Sequence, residues 1–411
     1  MTEILKPDNA DQVLDAVKWA VSEATPLEVR ALGTKAGFGR PVQAGRVLDL
    51  SNLSGITDYD PGELVLAAGP ATPMTEIEQA LAAANQELQF EPMDLGPLYG
   101  GALDAPTTGT IGGVIAANLS GPRRVKSGAA RDHFLGFHAV SGRGEVFKSG
   151  GKVMKNVTGF DLSKLMAGSF GTLAVMTQVT VKVLPRPEKT RTVLLMGADD
   201  EAAVAALCDA LGSSHEVAGA AHLPAGVAAR SGVGYVAGAG ASVTAVRIEG
   251  PGPSVEHRCA ALTEQFKALG AVEELHSHNS IAFWHEVRDA IPFTGDRAGD
   301  QVWRISVAPT AGAEVVRRLT DGLGGEAYYD WGGGLIWFAL PACEDAGASA
   351  VRAAIADCGG HATLVRASAD VRQAVEVFQP QPGPLDELSR RVKDAFDPEG
   401  VLNPGRMVAG V

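Results

Sequence analysis

Apolar and polar positions follow two rhythms along this chain. Val13, Leu14 and Val17 recur at helical spacing behind Asp8 and Asn9, which predicts a capped helix over 7–20. Short apolar runs predict strands at 27–32, 47–50, 64–68 and 88–90, with an amphipathic helix at 74–84. A further helix is predicted at 111–118, a hairpin from 134–140 and 145–148 around Gly142-Arg143-Gly144, and a helix at 162–166. A long alternating strand over 173–184 then ends at Pro185-Arg186-Pro187, which marks a domain boundary. Beyond it the pattern changes to repeated strand–helix–strand units. RTVLLMGA, VAGAAHLP, TAVRIEG, VEELHS, WRISVAP, AYYDW, LIWFALP and ATLVRA read as strands, with helices at 199–211, 254–269, 312–319 and 346–358. That order predicts an antiparallel sheet with helices on one face. A helix at 385–396 and the turn-rich FDPEGVLNPGRM close the chain, with Leu402 and Met407 as apolar anchors. The expected organisation is a mixed first domain over 1–187, an α+β domain over 188–368, and a C-terminal helix and tail over 369–411 that returns to the first domain.

Composition narrows the class. The 411 residues carry 35 Lys and Arg against 48 Asp and Glu, a formal charge of −13, which argues against a nucleic-acid or anionic-membrane surface. Cys208, Cys259, Cys343 and Cys358 form no C-x-x-C pair, so no iron–sulfur or zinc centre is expected and a reducing cytoplasm suits them. The N-terminus lacks the basic-then-apolar order of a signal peptide, and no apolar run approaches the roughly 20 residues of a membrane span. Membrane association is expected only through partner subunits.

Candidate chemistry lies where glycine and threonine cluster. Gly33-Thr34-Lys35 follows a strand, and this suits either a phosphate loop or a hairpin turn. Between 105 and 183 glycines recur among apolar residues, as where backbone passes close to a large polyanionic cofactor. The helix at 111–118 opens from such a loop, and its first N–H groups are expected to face an anion. Other motifs fail on context. Gly232-Val233-Gly234-Tyr235-Val236-Ala237 has dinucleotide spacing but no clear strand before it or helix after it. Gly150-Gly151-Lys152 is followed by Val153, not Ser or Thr, and Gly168-Ser169-Phe170-Gly171 is no nucleophile elbow. His276 and His278 would share a strand face, yet nothing nominates further metal ligands, and no metal is expected.

PTTGTIGGVIAANLSG, followed by RDHFLGFHAVSGRGEVFKSGGKVMKNVTGFDLSKLMAGSFGTLAVMT, resembles the FAD-binding domain of the vanillyl-alcohol oxidase / p-cresol methylhydroxylase type. GTKAGFG is similar to that family's first pyrophosphate loop, and LNPGRM to its C-terminal signature. Within the family the whole chain is most similar to the FAD-binding subunits of bacterial glycolate oxidases, through FWHEVRDAIPF, QVWRISVAP, YYDWGGGLIWFAL and GHATLVR. The resemblance implies an α+β fold: a two-subdomain FAD-binding domain with an antiparallel-sheet cap. Gly33, Thr34 and Lys35 would hold the pyrophosphate together with Thr107, Thr108, Gly109, Thr110, Gly112 and Gly113. Asn118 and Gly121 would lie toward the flavin, Gly168, Ser169, Gly171, Thr172 and Val175 at the ribose and adenine, and Asn403 and Arg406 near the isoalloxazine, with Arg131 and Asp132 as further cofactor-binding residues. Relatives that attach FAD covalently use a His in the first loop; none is present here, so the FAD is expected to be non-covalent, with His133 a packing or solvent residue.

The implied activity is oxidation of glycolate to glyoxylate, with electrons passed to partners: a larger paralogous flavin subunit and an iron–sulfur subunit. One departure bears on this. Catalytic relatives carry an H-x-G-D-G-N-x-H segment, and this chain has none. Three readings stay open: a subunit of a multi-subunit glycolate oxidase, a self-sufficient flavin oxidase or dehydrogenase of a small 2-hydroxy acid or alcohol, and a non-catalytic assembly subunit. For a carboxylate substrate the candidates are Arg288 and Arg304, since guanidinium pairs bidentately with carboxylate. Trp284, Trp303 and Trp331 would wall the pocket, with His285 as base.

Overall fold

Strand alternation sets the architecture of the second domain. Along Gln301–Ser306, Trp303 and Ile305 point to one face of the sheet while Val302 and Arg304 point to the other. The computed structural model describes residues 3–100, 109–152 and 159–410. In it the second domain is an eight-stranded sheet with every pair antiparallel. Its order is Ala271–His276, Lys189–Met196, Val243–Gly250, Gly219–Leu223, Glu326–Asp330, Leu335–Leu340, Gln301–Ser306, His361–Arg366. Helices Asp200–Gly212, Gly252–Phe266, Gly312–Leu323 and Ala348–Ala354 cover the face that carries Trp303, Ile305, Val193 and Ile248. The opposite face, with Leu194, Tyr328 and Trp337, packs on the first domain. Helix Ser277–Arg288 joins that inner core through Phe283, Trp284 and Val287.

The first domain has two parts. Strands Glu3–Leu5, Arg46–Asp49 and Leu27–Arg30 form a parallel sheet, with helix Ala10–Ser22 against it. Asn9 caps that helix by accepting from the Gln12 amide at 3.0 Å. An antiparallel sheet follows in the order Ile56–Asp60, Val65–Ala68, Ala174–Lys182, Phe134–Ser141, Val146–Gly150, backed by helices Met74–Ala83 and Ile111–Ala117.

Several expectations shift. No strand forms at 88–90; Gln86–Glu87 pairs with Leu184–Pro185, and Phe90 is fully buried in the core. The strand expected over 173–184 ends at Lys182. His276 and His278 do not share a strand face, because His276 ends a strand and His278 opens helix Ser277–Arg288. GVGYVA contains only the single-turn helix Gly234–Ala237.

The tail is ordered by a buried ion pair. Lys393 on helix Gly383–Phe396 meets Asp397 and donates to Thr172 O at 2.7 Å and Leu402 O at 3.1 Å. Asp397 in turn accepts from the Val401 and Leu402 amides at 3.0 and 2.8 Å. The tail then lies alongside Leu27, whose amide donates to Val401 O at 2.8 Å.

A second ionic cluster joins the two domains. Glu91 accepts two bonds of 2.8 Å from Arg247, and Arg123 forks onto Glu249 at 2.8 and 2.6 Å while facing Glu87 at 3.1 Å. Burial alone would raise the Glu91 carboxyl, but Arg247 and Arg123 hold it down at about 2.

Candidate FAD site

Strand Leu27–Arg30 runs directly into the first glycine loop, and that loop is held from outside by arginines. Arg406 donates to Lys35 O at 2.7 Å and Ala36 O at 3.2 Å; Arg372 donates to Gly39 O at 2.6 Å. Arg40 reaches back to Gln373 O and Val375 O, both at 2.7 Å. The loop's carbonyls are therefore engaged away from any anion. The amides of Gly33, Thr34 and Lys35 have no acceptor among the described residues.

Across from this loop stands Gly109, at φ +89°, where a Cβ would overlap Lys35 Nζ and Thr34 Oγ1. At Gly112 a Cβ would lie 2.6 Å from Pro70 O. Between the two loops sits a cleft walled by Gly33, Thr34, Lys35, Gly113, Phe170 and Gly171 among others. Among the described residues the Lys35 amine has one hydrogen-bond partner, Thr34 Oγ1 at 3.5 Å. Burial pushes its amine down to about 8, and Asp94 only partly offsets that. A half-buried cation with no ion-pair partner among the described residues, beside amides that also lack one and two loops in close approach, is a donor set for a pyrophosphate.

The helix contributes differently from expectation. The amides of Ile111 and Gly112 donate to Thr72 O and Pro70 O at 3.1 and 2.8 Å, and Gly113 N donates to Thr110 Oγ1 at 3.3 Å. These N–H groups already have partners, so Ile111–Ala117 offers close approach rather than free donors.

The third element is the turn at 168–172. Phe170 and Gly171 take φ +52° and +70°, and the turn is pinned by Gly168 N to Ile115 O at 3.1 Å and Phe170 N to Ala116 O at 2.9 Å. Asn403 clamps it to the first strand, accepting from Val29 N at 2.7 Å and donating to Phe170 O at 2.8 Å. Asn403 and Arg406 thus line the cleft while their polar atoms hold its loops.

Not every nominated residue faces the cleft. Gly33, Thr34, Lys35, Thr110, Gly112, Gly113, Gly171, Asn403 and Arg406 line it. Ser169 and Thr172 turn inward onto Met166 O and Ser169 O, and Val175 is buried in the core under the parallel sheet. Asn118 accepts from Arg131 N at 3.0 Å, and Asp132 caps Ala129 N at 2.8 Å beside Lys164. His133 is buried against Phe90 and contacts Ser127 O at 2.8 Å, a packing role. Thr107 and Thr108 lie outside the described residues.

The substrate candidates separate. Arg288 is taken by Asp289, with bonds of 2.8 and 2.6 Å. Trp303 is fully buried on the outer face of the cap, bonded to Ala346 O at 2.8 Å, so it walls no pocket toward the flavin side. Trp284 is core, bonded to Thr192 Oγ1 at 2.8 Å beneath Arg247. His285 lines a groove between the domains with Glu78, Asp94 and Arg288; burial, then Arg288, hold it at about 4, so it is neutral at pH 7. Arg304 and Trp331 do come together, 4.9 Å apart, and Trp331 Nε1 donates to Gly121 O at 3.1 Å. Sequence reasoning missed Arg124, which stacks on Trp331 at 4.4 Å. Its position three residues after Gly121, in the segment assigned to the flavin side, was the available signal.

Comparison with known proteins fits this geometry. The FAD binding domain family matches residues 2–150, and the C-terminal domain of FAD linked oxidases matches residues 383–407. Glycolate oxidase subunit GlcE of Escherichia coli (strain K12) is 36% identical over 409 residues, covering 98% of each chain. The chain belongs to the GlcE family. FAD is the cofactor of this GlcE-family chain, which is an FAD-linked oxidoreductase subunit. Glycolate oxidase subunit GlcD of Bacillus subtilis (strain 168) is 29% identical over 207 residues, half of this chain and 42% of its own length. The fold is that of p-cresol methylhydroxylase, whose substrate-bound crystal structure superposes with a TM-score of 0.68 at 17% identity, over 99% of this chain and 88% of that one.

Proposed function

We propose that this chain is the FAD-carrying subunit of an assembly that oxidises glycolate to glyoxylate. A GlcD-like flavin subunit and an iron–sulfur subunit are its partners. The end-to-end likeness to GlcE carries the reading, and Lys35 between two glycine loops supports it. Bound FAD would supply a two-electron acceptor. The chain's own residues do the rest. Lys35 and the amides of Gly33 and Thr34 would hold the pyrophosphate, Gly109 and Gly113 would let it approach the backbone, and Gly112 lets the helix pack on Pro70. Arg406, Arg372 and Asn403 keep the loops in register. With no His in the first loop the FAD is held by these contacts alone and dissociates. The missing H-x-G-D-G-N-x-H segment makes this flavin site a partner to a second one rather than a complete oxidase. No helix among the described residues is long and apolar enough to cross a membrane.

The test is the absorbance spectrum of the purified chain after FAD addition, followed by anaerobic glycolate. A yellow protein that bleaches only with its partners present is the expected result, and acid precipitation should release the FAD. Bleaching of the isolated chain would replace the partnered reading with a self-sufficient one. A protein that stays colourless would refute both.

A further inference from the structure

Arg124 and Arg304 are unlike the other arginines near the domain junction. Arg247, Arg123, Arg288 and Arg366 all end on carboxylates or carbonyls. The side chains of Arg124 and Arg304 make no hydrogen bond or ion pair among the described residues, yet both lie over one indole, 4.4 and 4.9 Å from the Trp331 ring centre. Arg304 projects from the inner face of the cap sheet, and Arg124 from the first domain, on helix Arg124–Ser127. Each guanidinium disfavours the other's charge, and an anion between them would relieve that. Burial and then Arg124 lower Arg304 to about 10, and the neighbouring His361 is also held below its ordinary value, by burial, Arg304 and Arg124. Asp330 offsets only part of this: its charge favours the Arg304 guanidinium, but its hydrogen bond goes to Trp331 N, from Oδ1 at 2.7 Å, and not to either arginine.

The indole itself is held deliberately. Trp331 takes φ +52°, a region bulky residues avoid, and Gly332 and Gly333 follow at +70° and +100°. The Asp330 cap and the bond to Gly121 O fix this turn against the first domain. In a chain of net charge −13, a cationic pair over one rigid aromatic ring is a built feature.

We propose that Arg124 and Arg304, one from each domain, bind the carboxylate of a small 2-hydroxy acid across the face of Trp331. The proposal rests on the glycolate-oxidising reading above and names where that reading's substrate class, or its product, would sit on this chain. Guanidinium forks match a carboxylate bidentately.

The test is calorimetric titration of the full chain with oxalate, a planar carboxylate that cannot be oxidised as glycolate can, with Trp fluorescence recorded alongside. Flavin content is measured in every sample. Oxalate should bind wild type and Arg317→Met, a change on the outer helix of the cap, equally. Arg124→Met and Arg304→Met should each weaken it at least about tenfold, the loss of a charge-assisted bond, and Arg304→Lys should fall between. Neutral glycolamide should not compete. Arg124 is exposed, so its variant should fold even if the Arg304 change disturbs the sheet. Wild type that ignores oxalate, or Met variants that bind it normally, would overturn the proposal. Arginine-dependent oxalate binding in a chain that takes up no FAD would leave this site standing and refute the flavin reading; normal FAD with arginine-independent binding would do the reverse.

Discussion

FAD affinity should depend on pH through one side chain. Without FAD, burial holds the Lys35 amine at about 8, down from 10.5. A pyrophosphate in the cleft favours the charged amine and returns it toward its ordinary value. Below pH 8 the amine is already charged, so affinity is flat with respect to this group. Above 8 binding must take up a proton, and affinity falls by up to about tenfold per pH unit until the bound form also titrates. The full span is 10.5 − 8 = 2.5 units, on the order of 3 kcal/mol or a few hundredfold. Between roughly pH 7 and pH 9 the expected loss is about tenfold. The sign for folding is opposite. A lysine whose amine is lowered in the fold destabilises the FAD-free chain fully below about pH 8, and the penalty fades as pH rises toward 10.5. Lys35→Met should therefore weaken FAD binding, remove its pH slope, and raise the melting temperature of the FAD-free protein. Flavin fluorescence titrations across this range, on both proteins, decide the matter. A flat wild-type profile, or a Lys35→Met slope equal to wild type, would refute the assignment.

Asn403→Ala strips a buried amide and a carbonyl of their partner, at about 1–3 kcal/mol each, and should lower the urea midpoint while releasing FAD; a change within about 0.5 kcal/mol would dismiss the clamp. Glu91→Gln removes the carboxylate hydrogen-bonded to buried Arg247 and should cost about 3–5 kcal/mol, whereas Glu314→Gln on the surface should leave the midpoint of the same denaturation assay near that of wild type. Trp303→Ala should cost about 3–5 kcal/mol in stability with FAD affinity unchanged, because its ring lies on the outer face of the cap.

The cap was legible because its strands alternate plainly: WRISVAP and LIWFALP announce both faces of one sheet. Helix Ser277–Arg288 was not read as an element, since SHNSIAFWHEVR mixes polar and apolar positions around a buried Phe283 and Trp284. In the cleft, glycine spacing located both loops, but it did not show that the amides of residues 111–113 already had acceptors, because Pro70 and Thr72 supply them from about forty positions away. Arg288 and Arg304 looked equivalent in the sequence. Only the fold shows that Asp289 takes one, while the other lies over Trp331 with no side-chain hydrogen bond among the described residues. The roles of Arg372 and Arg406 were hidden for the same reason: a guanidinium that binds loop carbonyls across more than three hundred residues leaves no local pattern.

The most direct test of the account places Gly113→Leu in this chain alone, within the purified glycolate-oxidising assembly. A Cβ at Gly113 meets only ordinary contacts with Lys35 and Thr110, so the longer side chain fills the cleft without breaking the fold. The expected result is an assembly with all subunits present, less bound FAD in proportion to this chain's share, and glycolate no longer reducing the final acceptor. Undiminished electron flow with FAD lost from this chain would contradict the claim that its flavin takes part.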